Sequence, residues 1–403
     1  MFETVRTVLR FRELELDPVE RRLRLVADIE DLRRIARRRL PRGVFDYIDG
    51  GAEDEVTLRR NTAAFRELGF RPRVLRDVGV IDTTTQLLGR TLPLPLVLAP
   101  TGFTRIVCPE GELAVARAAA KADLPYTLST MSTRSIEEVA AVSQGPKWFQ
   151  VYVWKDRDLM QSMLDRAKVS GYEAIVITVD TAVLGRRERD VRRGFTLPPQ
   201  LGLSTLLDGI AHPAWTWAFA RSEPIVFANV VGGAVDDGSD PVSLSEYVGA
   251  QFDPNLSWRD VEWFRSRWDG PIVLKGIQSV DDARIAADAG VDAIALSNHG
   301  GRQLDGAPAP IDLVAPVVEA VGESMEIICD GGVRRGSDIV KALALGATAC
   351  MVGRPYLYGL AAGGERGVTA VIGQLAGGFA RTMALVGARD VDALTPDLVQ
   401  RLR

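Results

Sequence analysis

Ala293-Ile294-Ala295-Leu296-Ser297-Asn298-His299-Gly300-Gly301-Arg302 reads as a short buried strand that stops in a polar loop rich in glycine. Four small or aliphatic residues in a row, with no polar alternation, suit a strand covered on both faces. The loop that follows carries one of the chain's two histidines. Three residues on comes an arginine, so a weak base and a fixed cation stand close together, a pairing suited to proton transfer on an anionic substrate.

The same unit recurs along the chain. Apolar runs at Leu94 to Pro100, Pro125 to Ser129, Trp148 to Tyr152, Ala174 to Asp180, Pro271 to Lys275, Ala293 to Ser297, Glu326 to Asp330 and Ala349 to Gly353 each precede a polar or glycine-bearing loop. Between them lie helical patterns, clearest at Glu110 to Ala122, Ser135 to Val142, Asp156 to Ser170, Val280 to Gly290 and Ser337 to Gly346, the last two ending at glycine. Buried runs alternating with helices predict parallel strands joined by right-handed crossovers. Eight of them predict an α/β fold, a closed (β/α)8 TIM barrel, over residues 91–403.

Two regions interrupt the repeat. Residues 1–90 form an N-terminal extension, with a helix from about Ile29, then Pro41 to Tyr47 and a turn at Gly50-Gly51. After the fourth run, residues 185–254 make a connection much longer than a barrel needs, which predicts a lid or binding loop at the C-terminal face. It holds Trp215, Trp217 and Phe219, with turns expected at Gly232-Gly233 and Asp236 to Pro241.

Composition removes several classes. A net charge of −4 over 403 residues gives no general attraction for nucleic acid, although Arg33, Arg34, Arg37, Arg38 and Arg39 form a local basic cluster. Three scattered cysteines argue against a disulfide framework, and two histidines are too few for a haem or a histidine-rich metal site, so no metal is expected. Met1 to Arg22 is charged throughout and no uninterrupted apolar run reaches about 20 residues, so the expectation is a cytoplasmic protein.

Active sites of such barrels are built from the loops after the strands. Here all eight strand ends carry polar, glycine or charged residues: Pro100-Thr101-Gly102, Ser129-Thr130, Gln150-Val151-Tyr152, Thr178-Val179-Asp180, Lys275-Gly276, Ser297-Asn298-His299, Asp330-Gly331-Gly332 and Gly353-Arg354. The last two, with Arg334, supply close-approaching backbone and cations where barrels commonly hold a phosphate.

Ser297 to Asp305, Asp330 to Asp338, Gly353-Arg354-Pro355, Thr178-Val179-Asp180, and Asp46-Tyr47 with Gly51 to Asp54 together resemble the FMN-dependent 2-hydroxy acid dehydrogenases and oxidases. That family includes flavin-type lactate dehydrogenases, glycolate oxidases and mandelate dehydrogenases. The resemblance runs from about Ile29 to the C-terminus, leaving out the first two dozen residues and the lid. It implies FMN as cofactor, held by Pro100, Thr101, Gly102, Ser129, Gln150, Thr178, Lys275, Ser297, Asp330, Gly331, Gly332, Arg334, Gly353 and Arg354. It implies His299 as the base, steadied by Asp180, with Arg187 and Arg302 clamping a substrate carboxylate beside the hydroxyls of Tyr47 and Tyr152. Lys275 would face the flavin edge where negative charge gathers on reduction.

Two positions depart from the plant glycolate oxidase pattern. Gly102 replaces an alanine and Met131 an aromatic residue, which points to a small L-2-hydroxy acid that is lactate-like or bulkier than glycolate. Quinone, oxygen or a separate protein stay open as electron acceptor. The Trp215 to Phe219 stripe gives peripheral contact at the inner face of a membrane, or packing on the lid or a neighbouring subunit. The resemblance also implies a homotetramer. Oxidation of a peptide-borne group, and flavin binding without catalysis, are the rival readings; other FMN barrels share the phosphate cradle but have no need of His299, Arg302, Arg187 and Tyr152 together.

Overall fold

Eight parallel strands close on themselves in chain order: β1 (Leu96–Leu98), β2 (Tyr126–Ser129), β3 (Lys147–Tyr152), β4 (Ala174–Thr178), β5 (Ile272–Ile277), β6 (Ala293–Ser297), β7 (Glu326–Asp330) and β8 (Ala349–Val352), with β8 pairing back onto β1. The computed structural model describes residues 14–193, 202–230 and 250–402. The predicted strands and the five predicted helices therefore stand where the sequence put them, to within a few residues at the ends. The turns expected at Gly232-Gly233 and Asp236 to Pro241 lie outside the described residues.

Two apolar layers hold the barrel. Inside it, Val97, Trp148, Val176, Val273, Ile328 and Met351 pack together, and Leu87 and Leu92 of an antiparallel hairpin join them. Outside it, strand residues such as Ile175, Leu274 and Ile327 meet the surrounding helices in one continuous core. Continuous burial on both strand faces is what the unbroken apolar runs require.

Residues preceding the barrel pack against its C-terminal portion. Helix Ile29–Arg39 begins with a capping box at Asp28 and Asp31 and lies along the last helix, Arg354–Val386. Strand Leu68–Phe70 pairs antiparallel with Val399–Arg401, joining the segment before the barrel to the end of the described chain. Helix Arg354–Val386 is long and apolar enough to cross a membrane by length and composition. It breaks at Gly363 and Gly364, and Tyr356, Val368, Leu375 and Phe379 are buried in the barrel's outer core, so it serves here as a packing helix.

The described part of the insertion carries helices Glu188–Arg193, Leu203–Ala211 and Pro213–Ala220. Trp215 Nε1 donates to the carbonyl of Ile106 at 2.8 Å. The buried Arg105 donates through Nη2 to the Glu223 carbonyl at 2.7 Å and through Nη1 to the Pro224 carbonyl at 3.1 Å. Both anchors reach into the loop after β1.

Candidate active site

A cavity of about 500 Å³ opens at the C-terminal ends of the strands. The turn after β6 shapes one wall. His299, Gly300 and Gly301 take φ of 56°, 66° and 74° in succession, a left-handed run that costs a non-glycine residue roughly 1–2 kcal/mol. An added side chain at Gly301 would meet the backbone of Leu58, 2.7 Å from its nitrogen. The strained turn is clamped from behind: Asn298 and Asn61 exchange amide hydrogen bonds at 2.7 and 2.8 Å, and the Ala52 N–H reaches the Gly301 carbonyl at 2.8 Å.

The result is a fixed imidazole. His299 Nδ1 lies 2.9 Å from Oδ1 of Asp180, whose side chain is buried and whose other oxygen has no hydrogen-bond partner among the described residues. Burial works against charge on Asp180, but the adjacent His299 and then Lys275 outweigh it and hold the carboxyl below its usual range. A bulge at Gly276, with φ of 114°, makes room, since a Cβ there would sit 2.8 Å from that of Asp180. The other ring nitrogen of His299 is left for the cavity.

Two guanidinium groups face the same space. The Arg302 guanidinium stands 5.1 Å from the Tyr47 ring centre and that of Arg187 5.6 Å from it. Arg187 is held by Asp190 through a 2.7 Å contact, whereas Arg302 donates to the carbonyls of Tyr47 at 2.6 Å and Gly50 at 3.1 Å and has no carboxylate partner among the described residues. Burial, then the nearby Arg187, push the Arg302 pKa down to about 9. A carboxylate arriving between these cations removes that penalty, which makes the cavity an anion site. Tyr152 also lines it, and burial, then Asp180 and Tyr47, raise its phenol pKa, so it stays a donor.

Opposite, the strand ends form a polar floor. Lys275, 4% exposed, lies 3.0 Å from Asp330 and 3.2 Å from Ser297 Oγ. Burial opposes its charge, but Asp330 and then Asp180 more than compensate and raise its pKa. Ser129 Oγ donates to Gln150 Oε1 at 3.0 Å, and Gln150 Nε2 to Thr178 Oγ1 at 3.0 Å. Pro100, Thr101, Gly102, Gly331, Gly332, Arg334, Gly353 and Arg354 complete the lining. Ser297 is the exception among the expected cofactor residues: fully buried, it stands behind Lys275 and donates to Asp330 at 2.7 Å, and its side chain does not line the cavity.

These residues fit FMN. Gly331 and Gly332 adopt φ of 128° and 86°, and a side chain on Gly332 would collide with the Asn61 carbonyl, so bare backbone lines the wall. Arg354 donates only to carbonyls, of Ile48, Gly300 and Gly50, at 3.2, 2.8 and 2.8 Å. With no carboxylate partner among the described residues, and its pKa lowered by burial, it is a cation awaiting an anion such as a phosphate.

Sequence reasoning missed the residues that hold this arrangement. Glu112, fully buried, accepts from the Thr133 N–H and hydroxyl at 2.8 and 2.9 Å and from the Thr104 N–H at 3.3 Å, joining the loops after β1 and β2; burial raises its pKa despite those donors. Asp49 accepts from Arg33 at 2.6 and 2.9 Å, Arg189 at 3.0 Å and the Tyr358 hydroxyl at 2.8 Å. Arg189, two residues after Arg187, is thereby turned away from the cavity.

A barrel with a basic, glycine-lined cradle beside a histidine, a carboxylate and two arginines defines a flavin-dependent oxidoreductase of hydroxy acids. Residues 36–401 match the family described as FMN-dependent dehydrogenase. A Mycobacterium tuberculosis relative is 47% identical over 98% of this chain and 94% of its own. The L-lactate dehydrogenase of Caulobacter vibrioides is 42% identical over 93% of this chain and 98% of its own. The crystal structure of the monotopic membrane protein (S)-mandelate dehydrogenase superposes with a TM-score of 0.90 at 40% identity, covering 94% of this chain and all of that one. The chain belongs to the FMN-dependent 2-hydroxy acid dehydrogenase family.

Proposed function

We propose that the chain oxidises an L-2-hydroxy acid, lactate-like or bulkier, to the 2-oxo acid and passes the electrons to a quinone or to oxygen. The observation that carries this reading is the pair Arg302 and Arg187 flanking Tyr47 in the cavity that His299 enters. Arg302 and Arg187 grip the substrate carboxylate, and the hydroxyls of Tyr47 and Tyr152 orient it. His299 then faces the 2-carbon and its hydroxyl and takes a proton there, while Asp180 stabilises the imidazolium that forms. FMN supplies the two-electron acceptor when bound. Gly331, Gly332, Arg334, Gly353 and Arg354 would hold its phosphate, and Pro100, Thr101, Gly102, Ser129, Gln150 and Thr178 its ring. Lys275 offers a fixed positive charge near that ring, kept in place by Asp330 and, from behind, Ser297.

Anaerobic mixing of the yellow protein with a panel of L- and D-2-hydroxy acids tests this. Bleaching by L acids, followed by recovery with quinone or oxygen, is the expected result; no bleaching by any acid overturns it.

We further propose a cytoplasmic location with peripheral contact at the inner membrane face. Leu206, Leu207 and Ile210 on helix Leu203–Ala211 and Trp217 on the next helix are exposed, and Arg34, Arg37, Arg38 and Arg42, outnumbering Asp46 and Asp208, lie around a neighbouring cleft. Apolar side chains rimmed by arginine suit an anionic lipid surface. Sedimentation with anionic vesicles, lost on deleting the insertion, supports the reading; equal recovery of both forms in the supernatant sinks it. A homotetramer, implied by family resemblance, is checked by analytical ultracentrifugation.

A further inference from the structure

A second cavity, of about 260 Å³, lies under the insertion and is not used by the hydroxy acid chemistry. Its roof is helix Pro213–Ala220, which turns Ala214, Trp215 and Ala218 inward while Trp217 is 62% exposed on another side. Its far wall is the break in the last helix. Non-helical backbone at Gly363 and Gly364 frees the preceding carbonyls, and Arg39 Nε donates to Ala361 at 2.8 Å and Arg22 Nε to Ala362 at 3.0 Å. Its floor is the loop after β1, where Val107 lines this cavity and the large one alike.

Charge narrows the occupant. No described lining residue is acidic, while Arg22, Arg39 and Arg105 are present. Among the described residues the Arg105 side chain donates only to carbonyls, those of Pro109, Pro224 and Glu223. Burial, then the neighbouring Arg39 and Arg134 respectively, lower the pKa of Arg22 and Arg105, outweighing Asp17 near the first and Glu223, Glu112 and Glu138 near the second. Apolar walls lined with cations and no carboxylate suit a flat ring whose oxygens gain negative character as electrons arrive. Phe219, one of the exposed large apolar side chains, also lines the cavity.

We propose that this cavity binds the ring of a lipophilic quinone, which enters from the membrane side beneath helix Pro213–Ala220 and is reduced across Val107. The proposal rests on the flavin-dependent oxidation and the membrane contact proposed above. The reaction balances: two electrons and two protons leave the C–H and O–H bonds of the hydroxy acid and end on the two quinone oxygens, giving oxo acid and quinol.

The test uses holoenzyme with decylubiquinone, and with an azido-ubiquinone whose attachment site is mapped by mass spectrometry. Ala218→Phe fills the cavity from its roof. The expected results are photolabel on the Arg105–Pro109 loop or helix Pro213–Ala220 of the wild type, and a KM for decylubiquinone raised roughly tenfold or more in the variant. Anaerobic bleaching by the hydroxy acid and turnover with ferricyanide keep their rates. Label elsewhere, or an unchanged KM with bleaching intact, overturns the quinone site while leaving hydroxy acid oxidation standing. An azido-phospholipid that labels the same loop and is not displaced by decylubiquinone assigns the cavity to lipid and also overturns it. Absence of bleaching by every acid is the separate failure of the oxidation itself, and wild-type labelling reads the cavity without it.

Discussion

His299 Nδ1 stands 2.9 Å from Asp180 Oδ1, and the second oxygen of that buried carboxylate has no hydrogen-bond partner among the described residues. The imidazole is therefore steered by a single acceptor, with no competing side-chain donor on the carboxylate among the described residues. Asp180→Asn keeps the shape but removes the charge that stabilises imidazolium. Flavin reduction by the hydroxy acid should slow by roughly 10²–10⁴-fold with the flavin still bound. Stopped-flow absorbance under anaerobic conditions measures both; a rate within a factor of about two of wild type would remove Asp180 from the proposed mechanism.

Arg302 bears on affinity more than on rate. Its guanidinium has no carboxylate partner among the described residues, unlike that of Arg187, so it offers the larger unneutralised charge. Arg302→Lys loses the planar fork and should weaken oxalate, a non-reacting dianion, by roughly 10–10² fold. Titration of the flavin spectrum with oxalate reads the change directly.

A methyl at Gly102 bears on the shape of the pocket. Its Cβ would fall 2.9 Å from Cβ of Met131 and 3.1 Å from the Met131 carbonyl, so the loop after β2 must shift to admit it. The residue absent in glycine is thus directed at Met131, a neighbour the sequence reading did not connect with it. Gly102→Ala should lower kcat/KM more for bulky 2-hydroxy acids than for glycolate and change the rate of reoxidation by oxygen. Equal ratios across an acid series, with unchanged oxygen reactivity, would refute the link.

Lys275 lends its charge to the cavity floor. Lys275→Met should bind FMN yet lower its reduction potential, because reduction places negative charge where the ammonium stood. Spectroelectrochemical titration gives the sign, and an unchanged or higher potential contradicts it.

Asp49 predicts how stability depends on pH. Burial opposes its ionisation, but Arg33 and Tyr358 prevail and hold its pKa at about 2. A depressed carboxyl stabilises the fold fully above its unfolded value near 3.8 and loses that contribution as pH falls through about 2. The contribution is on the order of 2 kcal/mol. Asp49→Asn should lower the urea midpoint at pH 7 and flatten the further fall between pH 5 and about 2. A variant that falls as steeply as wild type would place the acid sensitivity elsewhere.

The strands were legible because barrel strands are buried on both faces and show as unbroken apolar runs. His299, Arg302 and Lys275 were legible because each follows such a run. Asp49, Glu112 and Asn61 were not: Asp49 meets Tyr358 and Asn61 meets Asn298 across more than 200 residues of chain, and no local pattern marks either pairing. Ser297 shows the opposite limit. Its place at a strand end was correct, but side chains alternate along a strand and the sequence does not say how far each one reaches.

Arg105 and Trp215 fasten the insertion entirely through main-chain carbonyls, those of Glu223, Pro224 and Ile106. A carbonyl is the same whatever side chain hangs beside it. Where the contact rests on such carbonyls, at Glu223 and Pro224, the insertion can change its residues and stay docked, whereas Asn229, whose side chain meets Ile136 and Ser132, and Arg187 at the cavity are tied to their roles. One catalytic barrel can in this way be fitted to new surfaces and new electron carriers while the chemistry at His299 is left as it is.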